Sequence, residues 1–296
     1  MQSASSQNKS LESAAFSGSE LVSGGVEWLK APLWSNFDWL WHGFSTRQGG
    51  VSRVYLPELD LPELDASDAA GELNLGFTAA DSQEHVRENR LRLIEAITGS
   101  RETPLATVRQ VHSNLSVTVG AEGAGFGAGS VPEVDGIMTS RPGLLLGIQT
   151  ADCIPVLVAD PVKHTVAAFH AGWRGTVARI VELGVAQMRE EFGSDPVDLT
   201  AAIGPGIGQC CYSVGAEVQT QFESQFSYAS ELFLKDPTLR LNLLEANRRQ
   251  LLAAGLRAGS IALVGGCTSC QPRLFYSHRA SGGHAGRMMA VIGVRN

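Results

Sequence analysis

Three residues far apart in the chain carry side chains that bind transition metals or serve as nucleophile and base: His112, Cys153 and His170. His112 lies in Gln-Val-His-Ser, between two short segments of strand character. Cys153 lies in Thr-Ala-Asp-Cys, where two apolar runs meet. His170 opens His-Ala-Gly-Trp-Arg-Gly, at the end of a third apolar run and just before a helical pattern. Zinc fingers take their ligands from close pairs, and this wide spacing is different. It is the spacing of a centre assembled from several strand ends. Two imidazoles and a thiolate leave one position of tetrahedral zinc open, which a catalytic zinc needs. The same residues have a plainer reading, in which the thiol fills a core and each imidazole is a hydrogen-bonded interior side chain. Spacing alone leaves both open.

Asp135 and Asp152 are the acidic residues nearest these segments. Either could accept the second N–H of a metal-bound imidazole or manage a proton, or simply cap a turn. Arg47, in Ser-Thr-Arg-Gln-Gly-Gly, and Arg174, in Gly-Trp-Arg-Gly, sit next to glycines. A guanidinium near a helix start suits an anion, and a surface ion pair is the alternative. Cys267 and Cys270 form one CxxC. With no second CxxC to complete a four-cysteine site, they read as structural or bystander thiols outside the His112–Cys153–His170 set. The glycine-rich residues 120–129 lack a Lys-Ser/Thr ending, which excludes a phosphate loop of the nucleotide-hydrolase kind.

The elements that must position these residues alternate irregularly. Residues 28–44, with Trp28, Trp34, Trp39 and Trp41, read as opening strands. Asp81 and Glu84 suggest a capping box opening a helix with Val86, Arg90, Leu93, Ile94 and Ile97 on one face and Gly99 as its stop. Strands are expected near 107–111, 115–119, 144–149, 154–158, 165–169, 199–203, 261–264 and 288–294. Helices are expected from just after Gly175, at 216–226 and at 241–254. The repeated Leu-Pro-Glu-Leu-Asp of residues 56–65 reads as a surface insertion. The expectation is α/β, mixed sheets layered with helices, in one catalytic domain over 26–296 behind a disordered tail over 1–25.

Composition bounds the function. The chain has 296 residues, 44% of them hydrophobic, which supplies a sizeable core, and its net charge of −7 gives no electrostatic reason to bind nucleic acid or an anionic membrane. No uncharged apolar stretch is long enough to span a bilayer. The start lacks the pattern of a secretory signal, and five cysteines are too few for a disulfide framework, so a cytoplasmic setting is expected.

Taken in order, a set of local words carries a family resemblance. They are Ser45-Thr46-Arg47 with Gly49-Gly50-Val51-Ser52, Leu73-Asn74-Leu75-Gly76, Glu88-Asn89-Arg90, Gln110-Val111-His112 and Asp135-Gly136. Thr150-Ala151-Asp152-Cys153-Ile154-Pro155 and His170-Ala171-Gly172-Trp173-Arg174-Gly175 follow. Ile203-Gly204-Pro205, Cys210-Cys211-Tyr212, Cys267-Thr268-Ser269-Cys270 and Gly286-Arg287-Met288 complete the set. The chain thus resembles the YfiH-like family, first called multicopper polyphenol oxidoreductase (laccase) domain proteins and now described as purine nucleoside phosphorylases with adenosine deaminase activity.

The resemblance implies zinc held by His112, Cys153 and His170, and substrate contacts at Asn74 and Arg90. Phosphate would be held among Arg47, Arg90 and Arg174. It implies substrates of the adenosine, inosine, guanosine and methylthioadenosine class, and a layered α-β-β-α sandwich similar to the catalytic domain of cytotoxic necrotizing factor toxins. Two other activities stay open at this point: a peptidoglycan-precursor editing amidase, and a hydrolase with Cys153 as nucleophile and His170 as base. A multicopper oxidase is disfavoured, because the seven histidines include no His-x-His pair. The sequence departs from the family pattern at Ser277-His278-Arg279 and His284-Ala285-Gly286-Arg287, which leaves the role of Arg279 open.

Overall fold

Apolar residues at successive positions, as in residues 144–150 and 288–294, make strands that are buried on both faces. The computed structural model describes residues 20–23, 25–55, 71–120 and 131–296. The Leu-Pro-Glu-Leu-Asp repeat, nearly all of the glycine-rich segment and most of the expected tail lie outside them.

Along the chain come β1 (Glu20–Val22), β2 (Trp28–Lys30), β3 (Leu40–Ser45), the short pair β4 (Gln48–Gly50) and β5 (Gly71–Glu72), and helix α1 (Gln83–Thr98). Then follow β6 (Leu105–Thr107), β7 (Ser116–Thr118), β8 (Gly136–Thr139), β9 (Leu144–Thr150), β10 (Ile154–Asp160) and β11 (Thr165–Ala171). Helices α2 (Trp173–Val177) and α3 (Ile180–Phe192) precede β12 (Thr200–Ile203) and α4 (Ala216–Gln225). The pair β13 (Phe233–Lys235) and β14 (Leu239–Leu241), α5 (Leu243–Ala253), β15 (Ile261–Leu263) and β16 (Met288–Val294) complete the order.

Two six-stranded sheets result, in the orders β1-β2-β3-β16-β9-β6 and β15-β12-β10-β11-β8-β7. Both are mixed, as expected: β6–β9, β7–β8 and β12–β15 are parallel and the other pairs antiparallel. Side-chain alternation sorts the core into layers. Leu146, Ile148, Leu157, Ala168, Ala290 and Ile292 meet between the sheets. Trp28, Trp41, Leu145, Met289 and Val291 face outward against Leu93, Ile94 and Ile97 of α1. Val156, Val158, Ala167 and Phe169 face outward the other way, against α3, α4 and α5. Gly184 lets α3 approach that sheet, since a Cβ there would stand 2.2 Å from the Phe169 ring. No helix among the described residues is long and apolar enough to cross a membrane.

Several boundaries differ from expectation for identifiable reasons. Glu20–Val22, assigned to the tail, pairs antiparallel with β2, whose edge is otherwise open. The cap of α1 is Ser82, which accepts the His85 N–H at 3.1 Å. Asp81 instead accepts hydrogen bonds from Ser52 and Asn74. The helix read as starting after Gly175 begins at Trp173 and breaks at Arg179, where φ is 65° and the guanidinium bonds Glu182 and the Gln225 carbonyl. The strand expected at 107–111 ends at Thr107, and the next residues turn into the loop that carries His112.

His42, buried in β3, accepts the Ala31 N–H at Nε2 (3.2 Å) and stands edge-on to Trp34. Burial first, and then the charge of Lys30, lower its pKa from 6.5 to about 4. The folded state therefore needs the neutral ring. Its stabilising contribution is complete above pH 6.5 and is lost as pH falls towards about 4, at about 1.4 kcal/mol per pH unit. Melting temperatures of wild type and His42→Gln across this range should show a shallower acid slope in the variant. Parallel slopes would remove His42 as the cause.

Candidate active site

The register of β8, β10 and β11 brings the three separated residues to one end of the second sheet. Ile154 pairs with Ala171 and Pro155 with His170, so Cys153, just before β10, stands beside Gly172. Gly136 pairs with Phe169, which puts Asp135 beside His170, and the His170 N–H bonds the Asp135 carbonyl at 2.7 Å. The Asp135 carboxylate, fully buried, then gathers the His112 loop. It accepts the backbone N–H groups of Val111 (3.1 Å), His112 (3.0 Å) and Ser113 (2.6 Å), the Ser113 hydroxyl (2.8 Å) and His170 Nδ1 (2.7 Å). Burial alone would raise the Asp135 pKa, but the hydrogen bonds from His170 and Ser113 outweigh it and hold the group at about 2. His112 adopts φ 62° in this loop, a strained conformation for a non-glycine residue that the carboxylate enforces.

One donor atom from each of His112, Cys153 and His170 lies within 4.8 Å of the others. Cys153 Sγ stands 3.8 Å from His112 Nε2, and the two imidazole rings meet edge to face at 4.9 Å. With Nδ1 of His170 committed to Asp135, its Nε2 is the nitrogen left for a metal, the usual carboxylate–histidine arrangement. Donors this close could share one ion, whose zinc bonds would run about 2.0–2.3 Å. Gly172 is required here, because a Cβ would meet His112 Cδ2 at 2.9 Å and Cys153 Sγ at 3.0 Å. Burial would raise the Cys153 pKa, yet the His170 charge and hydrogen bonds from both histidines lower it to about 6. Burial would likewise depress His170, but the Cys153 thiolate and Asp135 lift it to about 9. The centre favours a thiolate, the form that binds metal.

These residues line a cleft of about 540 Å³ whose walls include Trp173, Arg174, Ile207, Tyr212, Arg279 and Arg287. This is a size suited to a small molecule. Arg174 lies exposed over the Trp173 ring at 4.5 Å, in the first turn of α2. It does not pair with Asp152, whose oxygens accept the Thr268 hydroxyl (2.6 Å) and the Arg279 N–H (2.7 Å). Asp152 has φ 89°, so this pair of bonds fixes the turn before Cys153. Arg279 crosses Tyr212 and bonds the Ser213 carbonyl. Burial, the leading influence, pushes the Tyr212 phenol up to about 12, which keeps it a hydrogen-bond donor.

The other sequence candidates are not brought to this cleft. Arg47 pairs with Glu72, donates to the carbonyls of Pro272 and Tyr55, and stacks on Tyr276. Asn74 is fully buried, donates to the Gly76 carbonyl and Asp81, and accepts the N–H groups of Gly76 and Arg287. Arg90 donates to the Leu75 carbonyl and packs on Phe77, with burial lowering its pKa to about 10. These bonds hold loops, and Asn74 seats Arg287 on the cleft wall. Arg287 and Tyr212 also line the cleft; in the sequence their only signal is the words Gly286-Arg287-Met288 and Cys210-Cys211-Tyr212.

Residues 41–295 match the family described as multi-copper polyphenol oxidoreductase laccase. The chain is 36% identical over 262 residues to the purine nucleoside phosphorylase YlmD of Geobacillus stearothermophilus, covering 86% of this chain and 89% of that one. The crystal structure of that YlmD superposes with a TM-score of 0.80 at 34% identity, covering 94% of this chain and 99% of the other. A purine nucleoside phosphorylase of Deinococcus radiodurans is 39% identical over 253 residues, 86% of this chain and 88% of its own. Adenosine deaminase RL5, from an unknown prokaryotic organism, is 32% identical over 240 residues, 78% of this chain and 90% of its own.

A metal centre and a free Cys–His nucleophile differ in thiol reactivity. In metal-free protein, peptide mapping should show Cys153 alkylated with a midpoint near pH 6, falling off below it as the thiol protonates. Zinc should suppress this reaction. A Cys153 equally reactive with zinc present would support the hydrolase reading instead.

Proposed function

Because the chain belongs to the multi-copper polyphenol oxidoreductase laccase family, we propose that it is a zinc-dependent purine nucleoside phosphorylase with adenosine deaminase activity, acting in the cleft around His112, Cys153 and His170. The observation that carries this reading is the joining of a His–Cys–His donor set to a cleft edged by Arg174, Arg279 and Arg287. The names of the relatives, phosphorylases and a deaminase, support the same substrate class. Zinc held by the three side chains would keep a position open and supply Lewis acidity.

The chain's own residues supply the rest. Phosphorolysis needs a phosphate oxygen at the anomeric carbon and relief of charge on the leaving purine. Arg174 has no ion-pair partner among the described residues and sits where free N–H groups of a helix start also favour an anion. Arg279 is tethered by its backbone to Asp152 and Arg287 by its backbone to Asn74, and one amino group of each guanidinium bonds a loop carbonyl (Ser213 for Arg279, Ala285 and Gly286 for Arg287), which leaves the others for an anion. Trp173, Ile207 and Tyr212 offer flat and apolar surface for a purine. The neutral Tyr212 phenol can donate to a ring nitrogen. Asp135 stays ionised and holds the His170 ring in place through turnover. Deamination uses the same cleft with water in place of phosphate.

Product analysis tests the assignment. Purified protein with adenosine and phosphate should release adenine and ribose 1-phosphate, and without phosphate should release inosine. Neither product from the zinc-replete protein would contradict the proposal. Arg174→Ala should raise the phosphate KM by roughly 10–100-fold, the scale of lost charge-assisted hydrogen bonds, at unchanged zinc content and melting temperature. Lys should restore only part, since it lacks the planar fork. Joint loss of stability and zinc would make Arg174 a structural brace.

A further inference from the structure

The chain holds a second gathering of metal-binding side chains that the cleft does not use. Cys210 and Cys211, in the loop after β12, meet Cys267 and Cys270, in the loop after β15, and all four sulfurs lie within 4.8 Å of one another. In the sequence Cys267 and Cys270 form a lone CxxC, and the second pair that meets it is not close in the chain. The fold supplies it from residues more than fifty positions away, because β12 and β15 are parallel neighbours whose following loops leave the sheet side by side.

We propose that Cys210, Cys211, Cys267 and Cys270 bind one zinc ion as a structural site separate from the His112–Cys153–His170 centre. Cys270 Sγ stands 3.5 Å from Cys210 Sγ and 3.4 Å from Cys211 Sγ. Tetrahedral zinc with bonds of about 2.3 Å sets its sulfurs about 3.8 Å apart. A disulfide would single out one pair, whereas here one sulfur is nearly equidistant from two and the fourth closes the group. A cluster of several irons would need a wider spread of sulfurs than a single ion does. Four closed thiolate ligands suit a zinc with no open position.

The surrounding backbone is shaped for charged sulfur. The Gly208 N–H donates to Cys267 Sγ at 3.2 Å, and the Cys270 N–H also points to it, the turn that a metal-binding CxxC adopts. Gly208 packs closely on the group, since a Cβ would stand 3.1 Å from Cys210 Sγ and from Cys267 Cβ and would press on both.

The site's position gives it a purpose. Gly206 and Cys267 form a bridge between the two loops, and the Thr268 N–H bonds the Gly206 carbonyl at 3.0 Å. Tyr212 of the cleft wall follows Cys211 directly, and Thr268, next to Cys267, holds Asp152 beside Cys153. A metal clip here fixes one wall of the cleft without touching a substrate.

Metal analysis of the reduced, full-length protein purified with zinc should give two zinc ions per chain. Replacing zinc with cobalt should give the intense charge-transfer absorption of a four-thiolate tetrahedral site. Cys267→Ser with Cys270→Ser should bring the content to one zinc and remove that absorption, and His112→Ala should retain it. One zinc per chain in the wild type, with no four-thiolate cobalt spectrum, would overturn the proposal. The wild-type stoichiometry and spectrum decide the matter even where the double variant does not fold.

Discussion

One buried carboxylate organises the candidate site. Asp135 accepts three backbone N–H groups and a hydroxyl from the His112 loop, and it accepts His170 Nδ1 from the neighbouring strand. Without an acceptor there, three N–H groups of a short loop would lose their common partner, and the loop would lose the bonds that set its shape. The same bonds determine chemistry. They bend His112 into a left-handed backbone and select which nitrogen of His170 faces Cys153. Strand pairing of β8, β10 and β11 does the remaining work, because its register leaves Asp135, Cys153 and His170 together at the sheet end.

The cleft wall is set by a second group of bonds that leads away from the donors. Asp152 holds Thr268 and Arg279, Asn74 holds Arg287, and the loop bearing Tyr212 is tied to the Cys267 loop. Backbone hydrogen bonds to buried acceptors thus fix where Arg279 and Arg287 leave the chain.

Much of this was legible in the sequence where local patterning decides. The apolar runs that became β9, β10, β11 and β16 read correctly, as did the helices α4 and α5 to within two residues. His112, Cys153 and His170 could be singled out because each interrupts or ends such a run, and the structure brings their donor atoms together. What did not read were features decided by distant partners. The bonds of Arg47 to Glu72, of Asn74 to Asp81 and of Arg90 to the Leu75 carbonyl join residues that no local spacing connects. Ser82 caps α1 because Ser52 and Asn74 draw Asp81 away. The four-cysteine group depends on two loops made adjacent by a parallel strand pair, which no local spacing reports.

The central claim is that Asp135 assembles the metal-binding form of the His112–Cys153–His170 centre. Zinc affinity of that centre, measured by chelator competition in wild type and Asp135→Asn, tests it most directly. Asparagine preserves the shape but turns an N–H group towards donors and removes the charge facing His170. Affinity should weaken by about 10–100-fold, the usual cost of losing such an outer partner, with the circular dichroism of the sheets retained. An unchanged affinity would contradict that role for Asp135.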